Sequence, residues 1–212
     1  MSYKTLASMT VAIIGSGETA EYYTAGFAFA GHKVLLAARE GDKNSIHTSI
    51  MQLANVTVCS IEDAAYGADL VVIATEPKDV REVSYWLGDV RSKVIIDVTS
   101  NVHTPEEELV KTVCGIKAIT GSQHIVKAFN TAGYEDILAP LFKRGKTDLM
   151  LVGESKKAKE ITKILAVELG LESFYDFGGT EAIELFNEMT RCWRKMLLNQ
   201  VAAKKEKSLA VK

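Results

Sequence analysis

The chain has 212 residues, 47% of them apolar and 25% charged, with a formal net charge of −2. A chain of this length and balance can bury its own core without disulfide or metal staples, and its near-neutral charge gives no global support for a nucleic-acid partner. Three widely spaced cysteines (Cys59, Cys114, Cys192), no run approaching a membrane span and no signal-like apolar region near Met1 lead us to expect a cytoplasmic protein with no membrane partner.

Short β-branched runs alternate with longer segments of helical period. TVAIIG (Thr10 to Gly15) is an apolar strand, followed by a helix from about Glu18 to Ala30 that Gly31 stops. HKVLLAA, VTVC (Val56 to Cys59), ADLVVIAT (Ala68 to Thr75) and KVIIDVT (Lys93 to Thr99) supply further strands, with a helical segment around Val80 to Leu87. HIVKAF (His124 to Phe129), DLMLVG (Asp148 to Gly153) and LESFYDF (Leu171 to Phe177) follow, and a helix from about Lys156 to Leu169 separates the last two. From Thr180 to about Lys207 the pattern is helical, with Ile183, Phe186, Trp193, Met196 and Leu197 available for one apolar stripe. The basic run Lys204-Lys205-Glu206-Lys207 reads as a solvated helix end. Most strands are nearly continuous apolar runs, as in a parallel sheet covered on both faces, which points to a doubly wound α/β fold with a mainly parallel sheet.

The first strand runs into Gly15-Ser16-Gly17, with Ala20 at the sixth position of a G-x-G-x-x-A turn. In such a turn the first glycine allows the tight bend and the second lets a pyrophosphate approach the backbone. The small sixth residue allows helix and strand to pack closely. The helix N-terminus then offers N–H groups to the phosphates. This turn follows a strand, opens a helix and returns to a second strand within about thirty residues, as a Rossmann dinucleotide-binding unit requires. Residues 1–178 are therefore expected to form an NAD(P)-binding Rossmann domain, and residues 179–212 a C-terminal helical extension.

The second strand ends in Ala38-Arg39 rather than in an acid. A guanidinium can pair with a 2′-phosphate and stack on adenine, so NADP is the expected cofactor. Glu40, the next residue, keeps NAD open, because an acid near this strand end can bind the ribose hydroxyls. Ligands in open α/β sheets lie beyond the carboxyl ends of the strands. Three such ends carry polar or turn residues: Thr75-Glu76-Pro77, Thr99-Ser100-Asn101 and Asn130-Thr131. His124 and Lys127 lie nearby, but neither is assigned a catalytic role. His124 reads as a structural histidine at a strand start, and Lys127 as a residue facing solvent or a phosphate. No metal ligands stand at suitable spacing.

GSGETA, the Arg39 strand end, DVTSNV and especially IVKAFNT resemble the NADP oxidoreductases dependent on the deazaflavin coenzyme F420. They also resemble the oxidoreductase domain of the STEAP metalloreductases. The likeness extends to DFGGTEAIELFNE at the start of the final helix. It implies NADP(H) binding and hydride exchange with a flavin or deazaflavin ring stacked on the nicotinamide. By this resemblance Gly15, Ser16, Gly17, Glu18 and Thr19 match the phosphate turn, and Arg39 the 2′-phosphate position. Thr75, Glu76 and Asn101 match the nicotinamide-side loops, and Ala128, Phe129 and Asn130 the segment beside the reaction site. Ala38 departs from the Ser or Thr that relatives often carry before the arginine.

Hydride transfer between two cofactor rings needs alignment more than acid–base groups, so no catalytic side chain is named. The partner is expected to be a small-molecule redox acceptor, and the apolar stripe of the last helix suits a homodimer. Two other readings stand beside this one. The first is an NADPH-dependent imine reductase of the pyrroline-5-carboxylate reductase type, although only about thirty residues follow Thr180 where those enzymes place a substantial helical domain. The second is a nucleotide-sensing module without turnover.

Overall fold

In β1 (Thr10–Ile14), Val11 and Ile13 enter one core while Ala12 and Ile14 enter another. Side chains of a strand alternate between the two faces of a sheet, so a strand that is apolar throughout needs cover on both. This computed structural model of the chain describes residues 7–99, 106–130, 148–171, 173–192, 195 and 199. The other strands are β2 (Lys33–Ala37), β3 (Val56–Cys59), β4 (Leu70–Ile73), β5 (Val94–Asp97), β6 (Ile125–Asn130), β7 (Asp148–Val152) and β8 (Ser173–Asp176). They form one sheet in the order β3-β2-β1-β4-β5-β6-β7-β8. Every neighbouring pair is parallel except β6 with β7, where Lys127 stands opposite Val152 and Asn130 opposite Leu149. The sheet is thus mainly parallel and doubly wound, as expected.

The first core is covered by α1 (Glu18–Phe29) through Ala20, Tyr23 and Phe27, and by α6 (Lys156–Glu168) through Ala158, Leu165 and Ala166. The second is covered by α3 (Ile61–Gly67), α4 (Val80–Trp86) and α5 (Glu106–Thr120). A short α2 (Thr48–Met51) precedes β3. Each fully buried Val, Leu or Ile in these layers contributes about 1.5–3 kcal/mol. The strand runs expected from sequence are all present: Val56–Cys59 matches, HIVKAF shifts by one residue to Ile125–Asn130, and the others are trimmed by one or two residues at one or both ends.

Besides the single turn of α2, two longer helices go beyond those expectations. α3 has seven residues, too few for a periodic signal, but Ser60 caps it by accepting the Asp63 N–H at 3.0 Å. Lys93 closes its other end, donating from Nζ to the carbonyls of Ala65, Tyr66 and Ala68 at 2.6–2.7 Å. α5 contains Gly115 and several β-branched residues, which weaken its helical signal, and its fold contact comes from Val113 and Ile116 in the second core.

Of the expected C-terminal helix, residues 183–192 are helical, following a 3-10 turn at Thr180–Ala182. Ile183 and Phe186 enter the second core, and Phe186 meets Phe177 edge-on at 5.5 Å. Trp193, Met196, Leu197 and the basic run near Lys204 lie outside the described residues. Among the described residues, no helix is long and apolar enough to cross a membrane.

Candidate functional site

The strand order reverses at β1, which has β2 on one side and β4 on the other. Connections leave this point toward opposite faces, opening a crevice at the carboxyl edge of the sheet. Backbone bonds hold the crevice floor. The Gly15 N–H donates to Ala37 O at 2.8 Å, Ala74 N–H to Ile14 O at 2.8 Å, and Val98 N–H to Ile73 O at 3.0 Å.

Gly15 has φ of +152°, and a Cβ built there would lie 2.3 Å from the Ala74 carbonyl oxygen. The glycine is therefore required by the backbone at Ala74, just past β4. The same Cβ would stand 3.2 Å from the Ala20 side chain, which is fully buried. Ala20 thus fills the small-residue role assigned to it, since a larger side chain would press on the turn. Gly17 is different. A Cβ added to it meets no atom within 4 Å, and it borders the crevice. No side chain caps α1 at Gly17, so the N–H groups of its first turn remain available to an anion.

The crevice is a cavity of about 480 Å³. Of the expected cofactor residues, it brings together Gly15, Ser16, Gly17, Glu18, Thr19, Arg39, Thr75 and Glu76. A floor open at Gly17, an uncapped helix end and a cation at the rim suit the pyrophosphate half of a dinucleotide. Glu18 borders the same space and is exposed, so it can turn toward solvent. Ala128, Phe129 and Asn130 are not among the lining residues. They end β6, three strands from β1 and so about 14 Å across the sheet edge. Ala128 is buried in the first core, the side chains of Phe129 and Asn130 lie outside the described residues, and so does Asn101 altogether.

Arg39 is held by carboxylates that the sequence reading did not single out. Its Nε donates to Asp42 at 2.7 Å and its Nη1 to Asp79 at 2.8 Å, while Glu82 stands 3.6 Å from Nη1. The guanidinium pKa is raised, chiefly by the Asp42 hydrogen bond, against burial and with the charges of Asp79, Asp42 and Glu82. Glu40, the acid that kept NAD open, is instead exposed and paired with Lys43 at 2.6 Å, and it does not line this cavity. Arg39 also lines a second cavity of about 390 Å³, beside Lys43, Ile61, Tyr85 and Trp86.

His124 and Lys127 belong elsewhere. His124 precedes β6, at the edge of the sheet away from the crevice, with Nδ1 3.1 Å from Ser155 Oγ. Lys127 faces neither solvent nor a phosphate. Its Nζ is buried 2.9 Å from Asp97 Oδ2 and also donates to Thr99 O, Thr99 Oγ1 and Thr112 Oγ1. The strand alternation that suggested exposure instead turns Lys127 into a pocket built by β5 and α5.

Comparison with known proteins agrees with this geometry. Residues 10–101 match the model of a family described as NADP oxidoreductase, coenzyme F420-dependent. None of the curated proteins matches the chain. A proposed F420-dependent NADP reductase of Arthrobacter sp. FB24 superposes with a TM-score of 0.67 at 16% identity, over 89% of this chain and 93% of that one. A hypothetical protein of Sinorhizobium meliloti gives 0.64 at 23% identity, over 82% and 86%. An imine reductase of Myxococcus stipitatus in complex with NADP+ gives 0.64 at 15% identity, over 94% of this chain but only 63% of its own. At such identities these structures speak for the shared Rossmann fold. Residues 10–101, from β1 past the end of β5, are thus similar to the coenzyme F420-dependent NADP oxidoreductases, a family of NAD(P)-dependent oxidoreductases.

Proposed function

We propose that the protein transfers hydride between NADP(H) and a small flavin-type or deazaflavin acceptor. The observation that supports this most is the crevice itself. Gly15 is pressed against Ala74, Gly17 opens onto the cavity, the α1 N-terminus is uncapped, and Arg39 stands at the rim. When bound, NADPH supplies the hydride. The chain's own residues hold the pyrophosphate at the turn and direct the nicotinamide half along the carboxyl edge of the sheet, past Thr75 and Glu76. Because alignment of the reacting carbons to about 3–3.5 Å is the main requirement, this reading assigns no proton donor.

The experiment is to mix the purified chain with NADPH and, in turn, a deazaflavin, FMN, FAD and pyrroline-5-carboxylate, following the nicotinamide absorbance. Oxidation with a flavin-type acceptor is the expected result. Oxidation with the imine alone would move the assignment to an imine reductase, the class of the Myxococcus stipitatus neighbour. Tight NADPH binding with no acceptor consumed would leave a nucleotide-sensing module.

A further inference from the structure

Arg39 enters the nucleotide crevice with its charge already engaged. Asp42 sits on Nε at 2.7 Å, Asp79 on Nη1 at 2.8 Å, and Glu82 3.6 Å from Nη1. The other cation at this strand end, Lys43, is paired with Glu40 at 2.6 Å. Two cations therefore face four carboxylates where a 2′-phosphate would have to sit. A monoester phosphate carries about −1.5 to −2 at neutral pH, so it cannot reach the guanidinium without displacing or facing an acid.

The acids are not equivalent. The Asp79 side chain is only 12% exposed and belongs to the turn between β4 and α4, so it is fixed and aims the guanidinium. The Asp42 side chain is 40% exposed, three residues from Arg39 on a 3-10 turn (Glu40–Ser45), and it occupies Nε from the solvent side. Asp42 also lines the crevice, where Glu40 does not. A carboxylate near the end of the second strand accepts a ribose 2′-hydroxyl, which is the ordinary mark of an NAD site.

We infer that Asp42 is the residue setting the preference between NADP(H) and NAD(H), by competing with the 2′-phosphate for Arg39 while remaining able to accept a free 2′-hydroxyl. This rests on the NADP(H) site proposed above and adds its selectivity device. With Asp42 in place, the chain discriminates weakly between the two nucleotides. With Asp42 neutralised, Arg39 keeps its aim from Asp79 and becomes available to the phosphate.

The test measures dissociation constants of NADPH and NADH for the purified chain by nicotinamide fluorescence, so no acceptor is needed. Asp42→Asn is expected to tighten NADPH about tenfold and to leave NADH unchanged or weaker, the size of one hydrogen bond to a charged group. In Asp42→Asn combined with Arg39→Ala, that gain should vanish. Asp42→Ser, run alongside, carries the comparison if the amide variant does not fold. A shift of the NADPH-to-NADH ratio smaller than about threefold, or one toward NADH, overturns the assignment. Wild-type protein that binds neither nucleotide overturns the proposed function itself, a result distinct from unchanged selectivity in a protein that binds both.

Discussion

Gly15 and Gly17 share a turn but answer to different partners, and single methyl groups separate the two. At Gly15 an added Cβ lies 2.3 Å from the carbonyl of Ala74, just past β4, and the backbone holds φ at +152°. Gly15→Ala must therefore shift β1 against β4, costing roughly 1–3 kcal/mol of stability. It should also spoil the crevice. At Gly17 the methyl meets no protein atom and φ is −87°, which alanine adopts freely. Gly17→Ala should unfold in urea within about 0.5 kcal/mol of wild type yet bind NADPH at least about tenfold more weakly, since the methyl takes space meant for ligand. Equal loss of stability in both variants would count against the open cradle. The turn was legible in the sequence because its parts lie within six residues. The clasp on Arg39 was not. Asp79 is forty residues from Arg39 along the chain, and only the placement of β4 beside β1 brings them together.

At the scale of elements, β5 and β6 are joined near their carboxyl ends by more than their ladder. Asp97 and Lys127 are register partners, and both side chains are essentially buried. Asp97 Oδ1 accepts the Thr99 N–H at 2.9 Å and the Thr99 hydroxyl at 2.5 Å, while Oδ2 accepts from Thr112 and Lys127. One ion pair therefore ties two strands, the start of the loop after β5, and α5. Lys127→Met leaves a buried carboxylate whose charge is no longer balanced, a loss of about 3–5 kcal/mol. Adding Asp97→Asn should recover a large part of it. Urea unfolding of the single and double variants checks this, and a double variant no more stable than the single would mean that the charge pairing is not what matters. The strands themselves were easily read, since a fully covered strand is apolar at every position. Lys127 was misread for the same reason: its charge breaks the apolar run, and its partner Asp97 lies on a strand thirty residues earlier. α3 escaped because seven residues held by caps at both ends carry little periodicity.

Across the whole molecule, the described part of the last helix is seated on the sheet by an apolar contact and by hydrogen bonds to charged groups. After β8 the chain turns through Gly178 and Gly179, and Phe177 delivers Phe186 to the second core. Glu154, just past β7, accepts both the N–H and the hydroxyl of Thr180 at 2.7 Å. Lys159 on α6 reaches Asp176 at 2.6 Å and the Gly178 carbonyl at 2.7 Å. The Thr180 bonds hold the Glu154 carboxyl below its usual pKa. For Asp176, burial pushes upward, but Lys159, the Gly178 N–H and Lys163 outweigh it and leave the pKa lowered. Both carboxylates thus lose their protons more readily folded than unfolded. Their stabilisation is fully present above the unfolded range, near pH 4, and is lost as pH falls through the lower folded values. Glu154→Gln keeps an oxygen that can accept from Thr180 and removes only the charge. Its Tm should lie below wild type at pH 7, and the two should converge as the solution is acidified below the folded pKa. A gap of the same size at neutral and acid pH would show that the charge of Glu154 is not what fastens the last helix to the sheet.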